Sequence, residues 1–166
     1  MELLLIRHGL PDKVINTDGT APDPPLSHIG LQQAQKVGEW LANQSIDAVV
    51  CSPLLRAQQT AAPLGQALNL TPIINDGIAE FATSSTSYVP LEELKRDNYP
   101  LWRARMESGW FSSQDPEVFK VKVVEAMEGI IDAHPGERVA VFCHAGVINI
   151  WAGHVIGARR YLFFEP

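Results

Sequence analysis

Little in this chain points to a membrane, a disulfide framework or a polyanion-binding surface. None of its apolar runs approaches the ~18 residues that a bilayer span requires, and the opening "MELLLIRHG" is interrupted by charge too soon for a signal peptide. The two cysteines, Cys51 and Cys143, are too few for a disulfide framework and lack metal-ligand spacing. Both fall in strand-like runs, where buried free thiols are expected. Positive charge is in deficit, with 13 Lys and Arg against 19 Asp and Glu and a formal net charge of -6. That balance argues against nucleic acid or an acidic membrane as partner, although a local basic pocket would not show in it. These absences make the cytoplasm the expected location. The 166 residues, 46% hydrophobic and 19% charged, predict a single globular domain over 1–166.

What is present alternates. Strand-like apolar runs occur at "ELLLIR" (2–7), "IDAVVCS" (46–52) and "RVAVFCH" (138–144), with weaker candidates at "TPIIND" (71–76) and "RYLFF" (160–164). Such near-continuous apolar runs suit strands covered on both faces. Helical patterns lie between them. After Ser27 as N-cap, Leu31, Ala34, Val37 and Leu41 recur at three- and four-residue steps. In "SPLLRAQQTAAPLGQAL", Pro53 suits a first helical position and Ala57, Ala61, Leu64 and Leu68 form the stripe, while Pro63 is expected to kink or split the helix. Asp115-Pro116 opens a third helix, with Val118, Val121, Val124, Met127 and Ile131 expected along its buried side. "AGVINIWAGHVIG" reads as a fourth. The alternation predicts an α/β fold: a three-layer α/β/α sandwich around a mostly parallel sheet. Only 77–114 lacks a period, and it is expected to form a partly helical excursion covering the substrate side of one sheet edge.

In such sheets ligands sit beyond the carboxyl ends of the strands. Three ends then bring chemistry together: Arg7-His8-Gly9, Cys51-Ser52-Pro53 with Arg56 one turn later, and His144-Ala145-Gly146. Two histidines and two arginines near helix N-termini would form an anion pocket inside an acidic protein. The planar guanidinium fork suits a phosphoryl group, and phosphoryl transfer is catalysed largely by positioning and charge neutralisation. Imidazole is available as a nucleophile near neutral pH.

The "RHG" after the first strand, with "PLSHIGLQQA", "SPLLRAQQTA" and "VFCHAGVI" in that order, resembles the histidine phosphatase (phosphoglycerate mutase-like) superfamily over about residues 2–157. The resemblance implies that His8 attacks phosphorus and becomes a phosphohistidine, with Arg7, Arg56 and His144 holding the phosphoryl oxygens. Glu80, in "IAEF", is placed like the family's proton donor to the leaving oxygen and would then activate water. No metal and no cofactor are implied. Two departures stand out. Pro11 and Val14 occupy positions where the family often has a hydroxyl residue and an asparagine, which leaves Asn16 as the substitute phosphate ligand. The chain ends at "LFFEP", where members usually run on.

The expected activity is a metal-independent phosphatase hydrolysing a small phosphorylated metabolite. A phosphoglycerate mutase-like phosphomutase is the enzymatic alternative, and a low-turnover phospho-ligand binder is the alternative of another class. His28 and His154 are expected to be non-catalytic, and Cys143 should point away from the site as a core thiol. Trp102, Arg103, Arg105 and Trp110 resemble a nucleotide-stacking pattern but better suit amphipathic packing, with Tyr88, Arg103 and Arg105 as candidates for substrate selection.

Overall fold

In a computed structural model of the protein, describing residues 1–81, 85–108, 115–158, 161 and 164, four strands form one parallel sheet. They are β1 (Glu2–Arg7), β3 (Ala48–Cys51), β4 (Ile73–Ile74) and β6 (Arg138–Cys143), in spatial order β1-β6-β3-β4. The register sets Arg7 beside Cys143 and Cys51 beside Phe142, so three strands stop at one level. Backbone bonds seal that edge: the His8 N–H donates to the Cys143 carbonyl at 3.1 Å, and the Ser52 N–H to that of Phe142 at 2.9 Å.

Alternation along β6 divides the core. Ala140 and Phe142 face the layer made by α1 (His28–Leu41) and α2 (Leu55–Leu68), packing with Leu41, Val49, Ala57, Ala61 and Leu64. Val139, Val141 and Cys143 face α5 (Pro116–Ala133) and α6 (Ala145–Ile156), among Phe119, Val123, Met127 and Val147. Helices on both faces of a parallel sheet make the predicted three-layer sandwich. Cys51 and Cys143 are both buried and free, one in each half of the core. Of the described helices, none is long and apolar enough to cross a membrane.

Capping follows the sequence closely. The Ser27 hydroxyl accepts from the Gly30 N–H, the Asp115 carboxylate accepts from the Glu117 N–H, and Pro116 takes the first turn of α5. Three helical details differ from expectation. On α1 the buried positions are Gly30, Ala34, Gly38 and Leu41, and Leu31 is 48% exposed. Close helix contact decides that face, because a Cβ on Gly38 would stand 2.8 Å from Pro63 Cβ on α2. The same contact accommodates Pro63: α2 runs unsplit through it, the ring seated where α1 has no side chain. On α5 the buried face is Phe119, Val123, Met127 and Ile130, while Val118 and Val121 are exposed. The large Phe119 ring takes the inward position, packing edge-on against Phe81.

The start of α2 also moves. It begins at Leu55 rather than Pro53, and its cap comes from a distance, with both Asp23 carboxylate oxygens 3.0 Å from the Leu55 N–H. The segment after β4 passes through a 3₁₀ turn at Asp76–Ile78, β5 (Ser87–Tyr88), α3 (Leu91–Asp97) and α4 (Tyr99–Ser108). β5 pairs antiparallel with β2 (Val14–Ile15), Val14 opposite Tyr88, which fastens the excursion to the loop after β1. The strand expected at 160–164 lies outside the described residues except Tyr161 and Phe164, neither of which is in a strand.

Candidate active site

His8 is the first residue beyond β1 and is buried. Its Nδ1 lies 2.8 Å from the Gly9 carbonyl. A carbonyl oxygen only accepts, so Nδ1 carries the hydrogen and Nε2 keeps its lone pair. Arg56 Nε donates to that Nε2 at 3.2 Å. Burial above all, then the Arg56 and Arg7 guanidiniums, lowers the His8 pKa to about 3 against the opposing Gly9 bond, so the ring is neutral at physiological pH. Thr60 ties this loop to α2: its hydroxyl accepts from the Gly9 N–H at 3.0 Å and donates to the Arg56 carbonyl at 2.7 Å.

His144 caps α6 and is fully buried, its ring centroid 5.1 Å from that of His8. Its Nε2 lies 2.7 Å from Ser52 Oγ, which also accepts from the Leu54 N–H at 3.3 Å. The arrangement that uses the Ser52 proton has the hydroxyl donating to Nε2, which places the imidazole hydrogen on Nδ1. Among the described residues that Nδ1 meets no partner. A buried donor without an acceptor costs stability unless a ligand supplies one. Burial first, then the positive charge of Arg56, holds His144 well below its ordinary pKa, so it donates as a neutral group.

Each arginine of the site is mostly buried and paired with a carboxylate. Arg7 Nη1 pairs with Glu92 Oε1 at 2.8 Å, and Arg56 Nη1 with Asp23 Oδ1 at 3.4 Å. The Arg56 guanidinium also lies 5.0 Å from the centre of the Tyr88 ring, which burial keeps in its un-ionised form. Glu80 completes the site from the loop after the 3₁₀ turn. Its two carboxyl oxygens accept from the Gly146 and Phe81 N–H groups, each at 3.2 Å. Burial raises its pKa, with those amides and the arginines pulling the other way. Gly146 is what admits it: a Cβ there would collide with Glu80 Oε1.

A neutral imidazole whose unprotonated nitrogen accepts from an arginine, a second neutral imidazole and two guanidiniums are thus gathered at three strand ends, with a carboxyl of raised pKa beside them. The family model for the histidine phosphatase superfamily (branch 1) matches residues 3–165. The chain belongs to that superfamily. It is 26% identical over 154 residues to the "Uncharacterized phosphatase PhoE" of Bacillus subtilis (strain 168), covering 92% of this chain and 76% of that protein. It is 30% identical over 164 residues to the "Probable phosphoglycerate mutase GpmB" of Yersinia pestis (strain Pestoides F), covering 95% and 75%. The crystal structure of the alpha-ribazole phosphatase from Shigella flexneri matches with a TM-score of 0.69 at 24% identity, over 95% of this chain and 80% of that one.

Of the histidine phosphatase residues expected from sequence, Arg7, His8, Arg56, Glu80 and His144 come together. Asn16 does not join them: its side-chain nitrogen donates to the carbonyl and hydroxyl of Thr20, within its own loop. Arg103 pairs with Glu107 one turn along α4, and Trp102 stacks on Tyr99 with Lys95 over its ring, which is packing within the excursion. Trp110 lies outside the described residues. Sequence reasoning missed Ser52, Thr60, Asp23 and Glu92. Ser52 was within reach, as the last residue of a strand end already singled out. Asp23 and Glu92 sit in aperiodic segments and carry no such signal.

Proposed function

We propose that this histidine phosphatase is a phosphomonoesterase that hydrolyses a small phosphorylated metabolite through a phosphohistidine. The observation that carries the reading is the Nδ1 bond of His8 to Gly9, which leaves the Nε2 lone pair among two guanidiniums. Substrate phosphate takes the donor that Arg56 gives Nε2 in the free site. Nε2 then attacks phosphorus in line as the ester P–O bond breaks, and the leaving oxygen receives the Glu80 proton. Arg7, Arg56 and the His144 Nδ1–H hold the phosphoryl oxygens, supplying the charge stabilisation that the transferring group needs. In the second half, Glu80 accepts a proton from water as its oxygen attacks phosphorus, breaking the P–N bond and returning neutral His8. The raised pKa of Glu80 suits an acid that must begin protonated.

Phosphate release from a panel of monoesters in EDTA tests this. Turnover is expected to survive the chelator and to vanish in His8→Ala. Glu80→Gln should lower kcat for alkyl esters about 10²- to 10³-fold. With p-nitrophenyl phosphate, whose leaving group needs little protonation, the same variant should accumulate acid-labile phosphohistidine. Activity that persists without His8 would overturn the mechanism. The 30% identity to a protein named as a phosphoglycerate mutase favours one second reading, a phosphomutase. Conversion of 3-phosphoglycerate to its 2-isomer without phosphate release would establish that reading instead.

A further inference from the structure

The two arginines of the site are each held at the outer end by a carboxylate that the mechanism does not use. Glu92 on the first turn of α3 pairs with Arg7, and Asp23 on the loop after β1 pairs with Arg56. Depth orders the groups. His144, fully buried with an unpartnered Nδ1, marks the inner phosphoryl end. Glu92 and Asp23, 51% and 43% exposed, mark the mouth through which the rest of the ester must project.

Asp23 is fixed in place, and Glu92 is held by its pair with Arg7. Asp23 is anchored by the Leu55 N–H on both oxygens, and the β2–β5 ribbon fastens its loop to the segment leading into α3. On that segment Arg96 pairs with Asp97, Arg103 pairs with Glu107, and Lys95 lies over the Trp102 ring. A phosphomonoester dianion therefore uses the two guanidiniums fully, and a further anionic group on the alcohol meets two carboxylates.

We propose that Glu92 and Asp23 make the mouth of this site select phosphomonoesters whose leaving alcohol carries no negative charge. The inference rests on the phosphomonoesterase reading and names its substrate class: esters of uncharged alcohols, with carboxylate-bearing phosphates such as a phosphoglycerate disfavoured. Like charges a few ångströms apart at a partly hydrated mouth correspond to discrimination of about five- to tenfold per carboxylate.

The test compares glycerol 3-phosphate with 3-phosphoglycerate, which differ by a hydroxymethyl group in place of a carboxylate, using p-nitrophenyl phosphate to register general damage. The wild-type kcat/KM should favour glycerol 3-phosphate by about tenfold or more. Glu92→Gln, which keeps an acceptor for Arg7, should reduce that ratio about fivefold, chiefly by improving 3-phosphoglycerate. An unchanged ratio in Glu92→Gln, with hydrolysis intact, would overturn the selection and leave the phosphatase reading standing. The same ratio taken from calorimetric affinities, in a His8→Ala background, decides the matter independently of turnover. Preferential binding of glycerol 3-phosphate that Glu92→Gln reduces about fivefold would uphold selection even if no ester were hydrolysed. Tighter wild-type binding of 3-phosphoglycerate would overturn it.

Discussion

Ser52 turns one imidazole into a fixed donor. Its hydroxyl accepts from the Leu54 N–H and lies 2.7 Å from His144 Nε2, and donation to that nitrogen would hold the His144 hydrogen on Nδ1. Ser52→Ala removes that instruction while subtracting a single oxygen from a buried site. A hydrogen bond of this kind is worth roughly 1 kcal/mol, so a merely structural role would show as a fall of a few degrees in Tm. A tautomer role predicts more. kcat/KM should drop about tenfold and inhibition by inorganic phosphate should weaken in parallel, because His144 can then donate through either nitrogen and no longer presents Nδ1–H alone. An unchanged inhibition constant with the same Tm shift would reduce Ser52 to packing.

At the scale of elements, four helices were legible along the chain while α3 and α4, in an aperiodic segment, were not, and the face a legible helix buries often was not. Apolar periodicity located α1 and α5, but the inward stripe of α1 is set by glycines, which register as neutral in a hydropathy pattern. On α5, five β-branched or sulfur-bearing residues looked equivalent until one aromatic side chain, Phe119, claimed the core. The continuity of α2 through Pro63 has a related cause: a local rule about proline cannot include the gap that Gly38 provides on another helix. Gly38→Ala separates the local from the tertiary effect. Alanine improves helix propensity by about 1 kcal/mol, yet its Cβ would lie 2.8 Å from Pro63 Cβ and 3.1 Å from the Leu64 nitrogen. Overpacking of that kind costs about 1–3 kcal/mol. The expected outcome is a net loss of stability, read as a lower urea midpoint at unchanged m-value. A gain would mean that α1 and α2 can part without penalty.

The whole molecule assembles its site from strand ends, and that is why the site was largely visible in sequence: Arg7, His8 and His144 are written next to the runs that bury them. Asp23 on a loop, Tyr88 in β5 and Glu92 in α3 reach the same place through contacts that no local pattern encodes. Gathering these groups also has a cost spread over the entire fold. His8 and His144 are held neutral, with pKa values below the ordinary 6.5, whereas Glu80 is held above its ordinary value. Between about pH 4.5 and 6.5 the unfolded chain binds a proton at each histidine that the native state refuses. Each histidine therefore makes stability rise with pH: the contribution is fully present above 6.5 and is lost as pH falls, for His8 towards about 3. Glu80 acts oppositely, because the native state retains a proton that the unfolded state releases. Two contributions against one leave stability rising with pH through the acid range. Urea unfolding at pH 7 and pH 5 should show the protein less stable at the lower pH. His8→Gln removes one of the two histidine contributions, so its stability should fall less over the same interval. A slope as steep in the variant as in the wild type would place the acid sensitivity outside the active site.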